Sequence, residues 1–403
     1  MKKEKPLTYP EKMTQTEKKL QIYLSVTNDV VADQRIHRIA TTLVEEGFQV
    51  NVVGRRLQTH YDFSNRPYRV HLLNIPFKRG IFFYACYNLW LLLFLIVRKT
   101  HVLIANDLDT LIPNFMVSRL KHIPLLFDSH EYFPEVPELV NRPGVKKVWQ
   151  TIEKSFVPRI RYCYTVCESI AEIYRRQYNT RFEIIRNLPF RKEPIASSFI
   201  TSAGKNIIYQ GALNVGRGLE KVIDAMAFLP DVHFYLAGSG DIENELKQRA
   251  QQSPAHERIH FLGRIPPEKL HAYTCGADLG ISLEEPLGLN YYYALPNKLF
   301  DYIQAEVPVM VSDFPEMKKI VETYQVGLTT NEKNPRTIAA IIRDALDNGE
   351  KRKVWKENLK KAATELCWEK EKFKLTAIVN EAIEQFYQGR TSISKPQHSQ
   401  LHE

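Results

Sequence analysis

Cysteine is scarce in this sequence: five residues among 403, at 86, 163, 167, 275 and 367, an odd number without a CxxC pair. That argues against a disulfide framework and a structural zinc site, and it fits a reducing cytosol. Cys163 and Cys167 fall in RYCYTVC, which reads as a strand and would place both thiols on one buried face. No lysine- and arginine-rich block interleaved with aromatics occurs, so nucleic acid is set aside as a partner. The first strand, IYLSV, runs into TNDVVADQR without GxGxxG, which disfavours an NAD-dependent dehydrogenase. No persuasive activated serine or cysteine nucleophile is present. The polar, lysine-rich start carries no apolar run before Leu20 and no signal-peptide pattern, so residues 1–19, like 391–403, are expected to be flexible tails.

Long apolar runs are also missing, with one exception. IFFYACYNLWLLLFLIV, residues 81–97, has Asn88 as its only strongly polar member and is flanked by Lys78, Arg79, Arg98 and Lys99. As a helix it reaches about 25 Å, short of a hydrocarbon core of about 30 Å. A full span is disfavoured on that ground. Two placements remain: a helix buried in its domain, or one that packs one side there and dips the other into a membrane interface. Serine at Leu91, Leu92 and Phe94 is expected to release the protein from membranes in the second case and to unfold it in the first.

The composition itself is that of a globular protein, with 44% hydrophobic and 25% charged residues, in a chain too long for one core. A net charge of +9 suggests an anionic partner, either a phosphate-bearing small molecule or anionic lipid head groups. From Leu20 onward short apolar strands alternate with helices: QIYLSV, a helix over 33–46 with Arg35 and Arg38 on its polar faces, QVNVVG, YRVHLL, HVLIA, PLLFDS, CYTVC and EIIRN. Residues 191–205 lose this periodicity and read as a linker, after which NIIYQG, VHFYLAG, RIHFLG, ADLGISL and VPVMVSD restart it. The expected fold is α/β: two Rossmann-like doubly wound domains, 20–190 and 206–375, facing a central cleft, with a helix at 376–390 crossing back.

Four strand-to-helix loops carry unusual residues. YQGALNVGRGLEKV brings Gly211, Gly216, Arg217 and Gly218 together, a backbone and guanidinium suited to an anion. LAGSGDIENEL supplies Gly238 and Gly240, with Asp241 as a candidate helix cap. ALPNKLFDYIQAEVPVMVSD opens a helix after Pro296, buries Leu299, Phe300 and Ile303, and turns Lys298 and Asp301 to the cleft. LLFDSHEYFPEVPEL puts Asp128, His130 and Glu131 directly after a first-domain strand, where a histidine can act as acid or base, hold a hydrogen bond, or simply sit in the core.

In this order QGALNVGRGLEKVIDA, FYLAGSGD, IHFLGRIPPEKLHAYTCGADLGISL and PNKLFDYIQAEVPVMVSD resemble the C-terminal domain of family-four retaining glycosyltransferases of the GT-B fold. ANDLDTLIP and LLFDSHEYFPE resemble a bacterial branch of that family that builds surface polysaccharide. The resemblance implies that Asp301 stands for the second glutamate of an E-x7-E motif and binds the donor ribose. The first glutamate is replaced by Tyr293, with Glu285 as a candidate substitute. Arg217 takes the place of the phosphate-binding lysine, Ala212 replaces the usual arginine, and Lys298 supplies the second cation. Gly211, Gly218, Gly238 and Gly240 belong to the donor site, and His130 contacts the donor sugar. Catalysis then falls to His130, Lys298 and Arg217, with no metal and no cofactor beyond a nucleoside-diphosphate sugar. The implied enzyme is a hexosyltransferase-like transferase acting on a glycan or lipid-linked acceptor, cytoplasmic and held at the inner membrane surface. A GT-B nucleotide-sugar epimerase and a non-catalytic membrane-associated subunit are the alternatives.

Overall fold

A computed structural model describes residues 19–393, apart from 32, 58–62, 137, 138, 140, 141 and 197–203. The two tails and the middle of the expected linker therefore lie largely outside the described residues. Seven strands form the first sheet: β1 (Gln21–Ser25), β2 (Gln49–Arg55), β3 (Arg69–Leu73), β4 (Val102–Asn106), β5 (Leu125–Ser129), β6 (Tyr162–Thr165) and β7 (Phe182–Ile184). Their spatial order is β3-β2-β1-β4-β5-β6-β7, all parallel. The second sheet contains β8 (Lys205–Gln210), β9 (Val232–Ala237), β10 (Ile259–Gly263), β11 (Leu279–Ser282), β12 (Val309–Ser312) and β13 (Gly327–Thr330). Its order is β10-β9-β8-β11-β12-β13, again all parallel. Apolar strands buried on both faces leave only their carboxyl ends open to a ligand. The order reverses between β1 and β4 and between β8 and β11, and a crevice forms at such switch points.

The two halves are joined twice. The backbone N–H of Trp368 donates to Pro189 O at 2.7 Å, and its indole N–H donates to Thr42 Oγ1 at 2.8 Å. The last helix, Trp368–Ile393, buries Trp368, Leu375, Ile378 and Val379 in the same core as Ile36, Ile39 and Leu43 of the first domain. The return to the first domain therefore falls at Trp368.

Three local expectations change. Arg35 and Arg38 are buried rather than displayed on a polar face: Arg35 turns into its own domain, towards Asp128 and Ile185 O, and Arg38 meets Asn187 at the cavity bordered by Asp301. Arg35 forms a bidentate pair with Asp128, at 2.8 and 2.7 Å. Cys163 lies in β6, whereas Cys167 sits at the start of the next helix, so the two thiols are buried on different elements. Asp241 does not cap its helix; Ile242 holds that position before Glu243–Gln252.

The apolar segment forms one helix, Ile81–Val97, packed on one side only. Phe83, Tyr87, Leu91 and Leu95 are buried, at the four-residue spacing of one helix face. Phe82, Leu89, Trp90, Leu93 and Val97 are 67, 56, 51, 48 and 77% exposed. Leu92 and Phe94 also pack against the core, so two of the three residues chosen for serine replacement are partly buried and Leu91 is fully so. Among the described residues no helix is long and apolar enough to cross a membrane.

Candidate functional site

The second-domain wall is built from the switch-point loops after β8 and β11. Gly218 adopts φ +67°, and a Cβ there would lie 2.2 Å from Leu283 O, so the β8 loop can lie against the β11 loop only with glycine. Gly238 is equally constrained: φ is +155° and a Cβ would come within 1.8 Å of Gly211 O. Gly240 lies against Leu213 O, and Gly211 lies against the Lys298 side chain. This close packing brings Arg217 and Lys298, from different elements, onto one carboxylate.

That carboxylate is Glu284, whose side chain is fully buried. Lys298 Nζ donates to Glu284 Oε1 at 2.7 Å, and Arg217 Nη1 lies 3.6 Å from the same oxygen. Ser282 Oγ donates to the Glu284 carboxylate at 2.8 Å. Burial raises the Glu284 pKa, but Lys298, Arg217 and these hydrogen bonds outweigh it and hold the carboxyl below its ordinary value. Lys298 also lies over the Tyr209 ring, 4.3 Å from its centroid, and Arg217 over the Tyr291 ring at 4.5 Å. Arg217 Nε is buried without a hydrogen-bond partner.

Glu285, the candidate substitute acid, is paired with Lys221 instead. The alternation of β11 continues past its end: Ser282 and Glu284 share a face, and Glu285 falls on the other. This two-residue period was the available signal for choosing between the adjacent glutamates. Tyr293, at the missing acid's position, packs against the first-domain core, and its carbonyl accepts from Cys167 Sγ at 3.4 Å. Nearby, Asn290 Oδ1 accepts from the Tyr132 backbone N–H at 2.9 Å. Tyr293 thus serves the domain contact, whereas Tyr291 lies under Arg217.

One helical turn beyond Lys298, Asp301 faces elsewhere; the two make no ion pair with each other. Asp301 Oδ2 accepts from Gln210 Nε2 at 2.9 Å, and Gln210 Oε1 accepts from Thr274 Oγ1 at 2.7 Å. Asp301 borders a cavity of about 240 Å³ that also meets Arg38, Asn187, Lys192, His271 and Asn297. Burial raises the Asp301 pKa, opposed by Lys192 and Arg38. Arg38 was not foreseen as a site residue. Burial brings it down to about 10, and its Nε is buried without a partner.

The first-domain wall comes from the loops after β1, β4 and β5. His130 Nδ1 lies 3.0 Å from Asp107 Oδ2. Burial opposes the charged imidazole, but Asp107, then Glu131, Asp128 and Asp33, raise His130 to about 9, while burial also raises Asp107 well above the ordinary carboxylate value against the pull of His130. Asp107 has φ +60°, uncommon for a residue with a Cβ. Asp109 accepts from Thr27, and its backbone carbonyl accepts from Asn88 Nδ2 at 2.9 Å. Asn88, the polar residue of the apolar helix, thereby ties that helix to this wall. Asp107 Oδ1 and Asp109 Oδ1 are buried without hydrogen-bond partners. The walls face each other, since Glu131 of the first helps stabilise the Arg217 charge of the second. Among the described residues no group of three or more His, Cys, Asp or Glu is arranged to hold a metal.

Asp109 yields a pH prediction. Burial raises it to about 6, with the Thr27 hydrogen bond, His130 and Arg55 opposing. A carboxyl with a raised folded-state pKa contributes stability that is present below its unfolded value, near 4, and is lost as pH rises through about 6. Asp109→Asn is expected to remove this component and to be more stable than wild type at pH 7.5, by up to about 3 kcal/mol. Melting temperatures from pH 4 to 8 check this; parallel curves for the two proteins would refute it.

Two facing Rossmann-like domains, with a terminal helix returning to the first, define a GT-B architecture. Residues 191–362 match the family described as Glycosyl transferases group 1, and residues 32–188 match Glycosyltransferase Family 4. The chain belongs to these GT-B glycosyltransferases. An uncharacterized glycosyltransferase of Methanocaldococcus jannaschii is 29% identical over 140 residues, 34% of each chain, so the match spans about a third of that relative. Sucrose-phosphate synthase from Thermosynechococcus elongatus superposes with a TM-score of 0.75 at 15% identity, over 90% of this chain and 99% of that one. Anabaena HepE in complex with UDP-glucose gives a TM-score of 0.68 at 14% identity, over 93% and 100%. At these identities the structural likenesses concern the fold.

Proposed function

We propose that the protein is a retaining glycosyltransferase that moves a sugar from a nucleoside-diphosphate sugar to a lipid-linked glycan acceptor. Its place is the cytoplasmic face of the membrane, in surface-polysaccharide assembly. The observation that carries this reading is the convergence of Arg217 and Lys298 at the second switch point, with Asp301 one turn further along beside a separate cavity. Two cations suit a diphosphate, and a carboxylate at the next cavity suits a ribose diol. HepE, of the same fold, is known in complex with UDP-glucose.

In this reading the anomeric carbon–oxygen bond breaks and its electron pair passes to the departing diphosphate. Arg217 and Lys298 stabilise the charge that develops there, so neutralisation rests on side chains already in place rather than on a metal. The acceptor hydroxyl enters from the face the diphosphate leaves, its proton passing to a phosphate oxygen, and no protein nucleophile is needed. His130, held beside Asp107, donates a hydrogen bond to the donor sugar. Peripheral membrane attachment is supported by the exposed side of helix Ile81–Val97 between exposed basic residues, which meets both requirements of an interface with anionic lipid.

A thermal-shift screen of nucleotide sugars, followed by donor hydrolysis with each hit, tests the reading. Failure to bind any donor or to release nucleoside diphosphate would support the non-catalytic subunit instead. The epimerase alternative draws on Asp107 and Asp109, buried carboxyls at the opposite wall. Product analysis without acceptor separates it, because an epimerase would return a rearranged sugar. Asp301→Ala is expected to weaken donor binding about tenfold, the scale of one hydrogen bond to a charged group. An unchanged donor dissociation constant would sink the ribose assignment.

A further inference from the structure

Glu284 has no assigned part in the reaction, yet it is a charge enclosed at the centre of the second-domain wall. Its side chain is fully buried, Lys298 Nζ and Ser282 Oγ donate to it, and Arg217 stands 3.6 Å away. A simple ion pair would need only one cation. Here one carboxylate faces two, and the second, Arg217, keeps a buried Nε without a partner. The two cations therefore retain a net positive charge and donor capacity beyond what Glu284 uses.

We infer that Glu284 is a positioning and specificity-determining carboxylate: it holds Lys298 and Arg217 in place before the donor arrives and limits how tightly the spent nucleoside diphosphate is held. This rests on the diphosphate assignment made above. The reasoning is electrostatic. Long cationic side chains without an anion would leave the site disordered or bind any phosphate strongly. A fixed negative charge keeps them ordered and repels the phosphate oxygens that come to share them. Ser282 holds the carboxylate, and the Ser312 hydroxyl, donating to Glu284 O at 2.7 Å, holds its backbone, so the charge stays in place when the ligand enters. Fast release of the diphosphate is the benefit, since product release limits the turnover of many enzymes.

The test uses the full chain, with UDP, GDP, ADP and dTDP titrated calorimetrically against wild type. Glu284→Gln keeps the size of the side chain and an acceptor for Lys298 but removes the charge. It is expected to bind the diphosphate that wild type binds roughly tenfold more tightly, with kcat and donor KM both falling as release slows. A merely structural role would move affinity the other way, raising KM and weakening product binding. Unchanged or weaker diphosphate binding by a folded Glu284→Gln protein would overturn the inference. If that variant does not fold, Lys298→Met/Glu284→Gln carries the test. Having lost one charge of each sign, it should hold the diphosphate within about threefold of wild type. A greater loss would count against the counterweight. Wild type that binds none of the four diphosphates would instead overturn the diphosphate assignment, and this inference with it.

Discussion

Lys298→Met is expected to lower kcat for donor hydrolysis by about two to three orders of magnitude, the scale seen when one fixed donor to a developing oxyanion is removed. It should also destabilise the protein. Glu284 would remain buried with only the more distant Arg217 and Ser282, and breaking one side of a buried ion pair costs about 3–5 kcal/mol. The two effects separate in the double variant Lys298→Met/Glu284→Gln. Neutralising both partners should restore part of the melting temperature, because Glu284 is no longer an unpaired buried carboxylate, although Arg217 then loses its counter-charge. Turnover should stay low, since net charge sets how tightly the product is held, whereas the departing oxygen needs a donor at a fixed place. Recovery of turnover together with stability would show that Lys298 is structural. A single variant that keeps near-wild-type turnover would dispose of the leaving-group role outright.

Serine at Phe82, Leu89, Trp90 and Leu93 together is expected to reduce binding to vesicles containing anionic lipid about a thousandfold, without lowering the melting temperature. These side chains are about half to two-thirds exposed, so each forfeits roughly 1 kcal/mol of apolar transfer into the interface. None of that surface is buried by folding, which is why stability should hold. The contrast is the set Leu91, Leu92 and Phe94, neighbours in sequence. Leu91 is fully buried, and the other two pack on the first-domain core, so serine there should unfold the domain. Vesicle sedimentation and thermal melts of both sets decide the matter. Undiminished sedimentation of the first set would mean that the exposed side serves something other than lipid.

This helix also shows what sequence patterning could and could not resolve. With Asn88 as its only strongly polar residue, the segment offered no amphipathic contrast by which to choose the buried side. Packing against β1, β2 and the loop after β4 made that choice, through Tyr87 donating to Val26 O at 2.6 Å and Asn88 to Asp109 O. Arg35 and Arg38 were misplaced for the converse reason. Arginine near the start of an amphipathic helix reads as solvent-facing; Arg35 is enclosed within its own domain by Asp128, Ile185 and Tyr164, and Arg38 by Asn187 and the cavity it shares with Asp301. Glu284 and Glu285 are adjacent and chemically identical, and their separate fates follow from the pleat at the end of β11.

The sequence by itself determined the two doubly wound domains and the loops that meet at the cleft. Those properties follow from local apolar periodicity and from glycine and proline at strand ends, which act over a few residues. It also singled out Arg217 and His130, on such loops, and Lys298 and Asp301, in the helix that follows one. Tertiary structure alone decided how they are grouped: Lys298 with Arg217 on Glu284, Asp301 with Gln210 and Arg38 at a separate cavity, His130 with Asp107 on the opposite wall. Those groupings depend on distances between residues far apart in the chain, and on burial that turns a solvated charge into one that must find a partner.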